Sequence, residues 1–188
     1  MPANRPITAL EVSTKSGNPY PEPFHSRMGD ITWRALGDQF GLTQFGFNLE
    51  TLEPGGQSSL RHWHTLEDEF VYMLEGELVV RTNDGEFPLR PGMCIGFKAR
   101  DPNAHHLVNK SGERARYIVV GSRVPGDVGF YPDDDVAWFW TEKGAVMVHK
   151  DGTPYWVSIN ITPIRDDAGH FLCFIARELE LPERTISL

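Results

Sequence analysis

Two histidines, His62 and His64, stand one residue apart in a run that reads as a β-strand, and three acids follow at Glu67, Asp68 and Glu69. Residues two apart on a strand project from the same face, so both imidazoles can turn a ring nitrogen toward one point while Trp63 faces away. A carboxylate at the start of the next strand would complete one side of a coordination shell. Imidazole and carboxylate without thiolate suit a single divalent transition-metal ion: Fe(II), Mn(II), Ni(II), Co(II), Cu(II) or Zn(II), among which affinity alone does not choose. A second pair, His105 and His106, opens the run HHLVN. Neighbours on a strand point to opposite faces, so only one of the two can join the same ion.

These side chains need a scaffold that brings separate segments together. Eighteen glycines and fourteen prolines break the chain into short apolar runs, and no long stretch keeps a helical period, which argues an all-β fold. From Thr43 onward the strand-like runs are TQFGFNLETL, RHWH, EFVYMLE, ELVVRT, EFPL, MCIGF, HHLVN and ARYIVVG. About eight short strands with turns between them read as a sandwich or barrel. Asn83-Asp84-Gly85 is a hairpin signal, because Asp-Gly supplies the positive φ of a tight turn. In EFVYMLE, Val71 and Met73 share the side of Glu69, whereas Phe70, Tyr72 and Leu74 take the other. Both faces then need cover, and a homodimer is expected to supply part of it, with the chain wrapping itself as the alternative. Val71, Met73 and Leu107 fall on the ligand face and are expected to line a substrate pocket; ordinary core is the competing reading.

The 188 residues fit one domain. Against 18 Lys plus Arg stand 26 Asp plus Glu, a net charge of −8, and no basic run occurs, so neither nucleic acid nor an anionic membrane is an expected partner. No apolar stretch approaches the roughly 20 residues of a spanning helix, and the N-terminus lacks a signal-peptide core, so a cytoplasmic protein is expected. Cys94 and Cys173 are far apart, which excludes a thiolate zinc site; each is expected to be a small buried apolar residue.

The stretch from Gly56 to Gly76 resembles the first motif of the cupin superfamily, G-x5-H-x-H-x4-E-x6-G, at every fixed position, with His62, His64 and Glu69 at its ligand places. The resemblance selects Glu69 over Asp68 because Glu69 stands seven residues before Gly76. The second motif, G-x5-P-x-G-x2-H-x3-N, is matched by Gly92, His105 and Asn109, but Lys98 and Arg100 occupy its Pro and Gly places and two extra residues precede the histidine. Spacing to Asn109 favours His105 over His106. The wording SSLRHWH, EDEFVYMLEGEL and ARYIVVGSR is similar to a small bacterial single-domain (cupin type-2) branch whose reactions are mostly unassigned. The resemblance implies a double-stranded β-helix, or jelly-roll barrel, over residues 41–125, preceded by an arm (1–40) and followed by a barrel-covering extension (126–150) and a C-terminal β-hairpin (151–188). That last stretch weakly resembles the closing strands of a PAS domain, with DDAG as the turn; no flavin or haem is inferred from it.

The implied function is a metal-dependent cupin that acts on or binds a small oxygen-bearing molecule. Isomerase or dioxygenase chemistry is the leading expectation, and metal-dependent ligand binding or sensing without turnover is the alternative. Three further features are expected to stay outside the site: His149 and His170 as non-ligands, and Asp133-Asp134-Asp135 as a charged turn. Lys98 and Arg100 could stand at a pocket mouth, though solvated surface is the plainer reading.

Overall fold

A computed structural model describes residues 5–141, 144–153, 155, 157–165 and 171–180; residues 140, 141, 144, 145 and the last two stretches are described by their backbone alone. In chain order the strands are β1 (Lys15–Ser16), β2 (Ile31–Ala35), β3 (Phe45–Leu52), β4 (Trp63–His64), β5 (Glu69–Glu75), β6 (Leu78–Thr82), β7 (Gly85–Leu89), β8 (Cys94–Phe97), β9 (His106–Val108), β10 (Ala115–Ser122), β11 (Val128–Phe130), β12 (Ala137–Thr141), β13 (Gly144–Val148), β14 (Val157–Arg165) and β15 (Phe171–Glu180).

One antiparallel layer has the order β1-β2-β3-β10-β5-β8. The opposing layer has two parts, β13-β12-β11-β4 and β7-β6-β9. Two isolated bridges, Gln57 to Val108 and His62 to His105, link them. The product is the expected all-β jelly-roll barrel. Asn83 and Asp84 form the two-residue turn of the β6–β7 hairpin, and Gly85 takes φ 128° at its exit. β14 and β15 pair with each other antiparallel; the DDAG turn and His170 lie outside the described residues.

Alternation decides what fills the barrel. Tyr117 on β10 sits opposite Glu50 on one side and Met73 on the other, so these three side chains face inward together. Val71, Met73, Leu78, Val80 and Leu107 join Leu52, Leu89, Ala115 and Tyr117 in one buried cluster. Full burial of each Val, Leu or Met side chain among them contributes about 1.5–3 kcal/mol.

A second cluster combines Tyr20, Phe24 and Met28 with Leu60, Tyr131 and Val136. The segment expected as an arm therefore contributes both β2, a full member of the larger sheet, and three core side chains. On the outer face of β5, Phe70, Tyr72 and Leu74 are 44%, 40% and 40% exposed. Cys94, expected to be buried, is exposed, because β8 is the edge strand of its sheet and Cys94 pairs with the outward-facing Tyr72.

Both motif glycines stand where a side chain would collide. Gly76, at φ 75°, closes β5 against the next strand, and a Cβ there would lie 2.6 Å from the Arg114 carbonyl oxygen. At Gly56 it would lie 2.9 Å from the Asp30 carbonyl oxygen. Asn109 is wholly buried; its Nδ2 donates to the Leu52 and Glu113 carbonyls at 2.9 and 2.8 Å. Its place in the second motif is thus to organise the β9–β10 turn.

Candidate metal centre

His62 and His105 are held opposite one another by backbone: each N–H donates to the other's carbonyl, at 3.0 and 2.8 Å. Glu69 enters from the first residue of β5, and His64 from β4. His62, Glu69 and His105 offer ligand atoms that all lie within 4.8 Å of one another, and His64 Nε2 lies 3.0 Å from His62 Nε2.

The lone-pair directions follow from the hydrogen bonds on the far side of each ring. His62 Nδ1 donates to the Leu60 carbonyl at 2.9 Å, leaving Nε2 as the lone pair. His64 Nδ1 donates to Asp127 Oδ2 at 2.6 Å, which again turns Nε2 inward. Two imidazole lone pairs 3.0 Å apart repel unless a proton or a cation lies between them. The observed separation is short enough for both nitrogens to hold one ion, or for one proton to be shared between them. His105 is buried, and neither of its ring nitrogens has a hydrogen-bond partner among the described residues, an expensive state for an imidazole that binds nothing. Its Nε2 faces Glu69 Oε1 at 3.8 Å, too long for a hydrogen bond and wide enough for an ion to mediate. His62, Glu69 and His105 therefore fit a divalent metal, whereas His64 reaches that group through His62 and also clusters with Glu67 and Asp127.

The electrostatics agree. Burial, then the His64 and His105 rings, push the His62 imidazole down to about 3, so it stays neutral. Burial alone would raise the Glu69 carboxyl, but His105, His62 and His64 together hold it down to about 2. Burial likewise opposes charge on His64, yet Asp127 and the Glu69 carboxylate raise its affinity for a proton.

Asp127 is the residue that sequence reasoning missed. It is wholly buried, and its Oδ1 accepts from the backbone of Leu66 at 2.7 Å and from Thr65 Oγ1 at 3.2 Å. Burial would raise the carboxyl, but the His64 bond and these contacts hold it down to about 2. It lies 63 residues beyond its partner, in a Pro-Gly-Asp run that reads only as a turn.

The other acids beside the motif have different employment. Asp68 is exposed and accepts from the Ala99 N–H at 2.7 Å. Glu67 accepts from the Val124 N–H at 2.9 Å and lines the cleft described below. His106 turns away and bonds the Ser59 carbonyl at 3.0 Å. His149 is spent on Asp135 and on stacking with Tyr155. Asp133 pairs with Arg61 and Asp134 with Arg27, so each member of the triple-aspartate run has its own partner.

A cleft of about 200 Å³ opens onto His64, Glu69 and His105. Lys98 stands on its wall. Val71, Met73 and Leu107, expected to line a pocket, belong instead to the buried core cluster, and the cleft's walls come from Trp63, Phe87, Ile95 and Phe97. The physical reason is depth: in the middle of β5 the inner face is closed by Tyr117 and Leu52, and only the end of the strand that carries Glu69 reaches the opening.

The family profile described as Cupin domain matches residues 48–121. A crystal structure of a sugar phosphate isomerase from a cupin superfamily, from Silicibacter pomeroyi, is 39% identical with a TM-score of 0.77, covering 81% of this chain and 97% of that one. Among curated proteins, Polyketide synthase CurC of Streptomyces cyaneus is 33% identical over 99 residues, 52% of this chain and 61% of that protein. Tetracenomycin polyketide synthase protein TcmJ of Streptomyces glaucescens is 29% identical over 96 residues, 51% of this chain and 62% of that protein. The chain thus spans about three fifths of the curated relatives it matches. Among the described residues, no helix is long and apolar enough to cross a membrane.

Proposed function

The chain belongs to the cupin superfamily, and from that premise we propose that it holds one divalent transition-metal ion on His62, His64, Glu69 and His105 and presents it to a small oxygen-bearing molecule. The observation that carries this reading is the meeting of two imidazole Nε2 atoms 3.0 Å apart beside a buried imidazole that has no hydrogen-bond partner among the described residues. When bound, the ion supplies Lewis-acid polarisation of an oxygen atom and, with four protein ligands, keeps positions open for one.

The chain's own residues support catalysis over passive binding. Glu67 lines the same cleft, and burial raises its carboxyl from its ordinary value, the direction that suits a group taking up and returning a proton beside a bound ligand. Isomerisation and dioxygen-dependent ring cleavage both fit that arrangement. The name of the Silicibacter pomeroyi relative favours the first as a type of reaction, without bringing that protein's substrate to this chain. Anchoring of a ligand without turnover is the alternative, and screening sugar phosphates, aromatic diols and small keto acids with and without oxygen separates the two. The exposed Phe70, Tyr72 and Leu74 support a homodimer, which sedimentation of the purified chain tests.

The metal assignment is tested by elemental analysis of protein prepared without an affinity tag. About one ion per chain is expected, and the His62→Ala/His64→Ala variant, checked for native circular dichroism, is expected to hold none. Equal metal in both proteins would refute the ligand set.

A further inference from the structure

We propose that the cleft is built for a flat aromatic ligand with adjacent oxygen atoms, of the catechol or hydroxy-ketone kind, and not for a sugar phosphate. This rests on the metal reading above, since the adjacent oxygens are what would meet the ion.

The first observation is the wall. Trp63, Phe87 and Phe97 line the opening, and two of these rings are already stacked on neighbouring rings. Trp63 stacks on Phe130 with centroids 5.0 Å apart, and Phe97 lies flat on His105 at 3.4 Å and 1°. Phe87 is 48% exposed, a large aromatic left uncovered at the mouth. Rings fixed in this way offer a planar ligand face and edge contacts without losing rotamer freedom.

The second observation is charge. Among the described residues, Glu67, Asp84 and Asp101, in addition to Glu69 at the ion, line the cleft against Lys98 as its one lysine or arginine. A phosphate dianion is ordinarily met by arginine forks or by a nest of free backbone N–H groups. The loop beside the cleft offers no such nest, because its N–H groups already donate within the protein. Ala99 bonds Asp68 Oδ1, Arg100 bonds the His64 carbonyl, Asp101 the Lys98 carbonyl, Asn103 the Asp101 side chain, and Ala104 the Pro102 carbonyl. Beyond the ion and its ligand Glu69, a dianion would meet three further carboxylates and one ammonium.

The third observation is size. A cavity of about 150 Å³ accepts benzene, so about 200 Å³ accommodates one ring with its substituents.

The test is a titration of metal-loaded protein, its metal content measured on the same sample, with the chromophoric probe 4-nitrocatechol and separately with fructose 6-phosphate. Nitrocatechol is expected to bind at least tenfold more tightly than the sugar phosphate. Phe87→Ala, at a half-exposed position outside the core, is expected to weaken it at least fivefold with metal content unchanged, and Trp63→Leu repeats the measurement at a second lining ring. Loaded protein that ignores nitrocatechol, or prefers fructose 6-phosphate, overturns the inference alone. Protein that takes up no metal overturns the metal reading and this inference with it.

Discussion

Replacing Asp127 by asparagine should weaken metal binding without unfolding the barrel. In the native protein Asp127 Oδ2 accepts the Nδ1 proton of His64 at 2.6 Å, while Oδ1 is fixed by the Leu66 N–H and Thr65 Oγ1. An asparagine in the same pose keeps its oxygen on the backbone donor and turns an amide N–H₂ toward His64 Nδ1. Two donors cannot share that contact, so the imidazole proton moves to Nε2. There it finds the His62 Nε2 lone pair 3.0 Å away, which satisfies both rings and removes the lone pair the ion needs. Loss of such an orienting carboxylate typically costs 10–100-fold in metal affinity, or about 1.4–2.7 kcal/mol. Competition against a chromophoric chelator measures the change, and ¹⁵N shifts of the His64 ring report the tautomer. An Asp127→Asn variant that binds metal within about twofold of the parent, with the His64 proton still on Nδ1, would refute the reasoning.

Two further outcomes are expected. Glu50 faces inward beneath the Tyr117 hydroxyl, which donates to it at 2.6 Å, and burial pushes its carboxyl up to about 7 despite that bond. The folded protein therefore keeps a proton that the unfolded chain releases near pH 4.5, so stability falls as pH rises through 4.5 to 7 and the cost is complete above. Glu50→Gln should accordingly stabilise the protein by about 1–3 kcal/mol at pH 8 and by little at pH 4.5, read from urea midpoints; an equal gain at both would contradict the assignment. Metal uptake should also release a proton, because the raised proton affinity of His64 leaves Nε2 shared with His62 in the metal-free protein. Titration calorimetry in buffers of different ionisation enthalpy detects this, and a buffer-independent heat near pH 6 would argue against it.

The parts of this protein legible in its sequence are those set by local rules. Period-two alternation put His62 and His64 on one side, and the collisions a Cβ would meet at Gly56 and Gly76 explain why those spacings signal a particular turn. The Asn83-Asp84 hairpin is equally local. What remained hidden depends on depth or on long-range packing. Val71 and Met73 do share the face of Glu69, but alternation cannot tell the closed middle of a barrel from its mouth. Tyr20, Phe24 and Met28 sit in a Pro-rich stretch without periodicity, yet Leu60, Tyr131 and Val136 give them a core. Asp127 shows no pattern along the chain, since its meaning lies in a partner distant in sequence and adjacent in space.

The reciprocal backbone bonds between His62 and His105 separate the seat proposed for the ion from the rim of the cleft. The segment Lys98–Ala104 carries the two residues in excess of the motif and a left-handed Arg100 at φ 66°, and all of that slack is taken up before the chain reaches the bridge. Length and composition of the rim can therefore drift while the anchoring rings keep their register, so that new ligand preferences can arise by remodelling one loop.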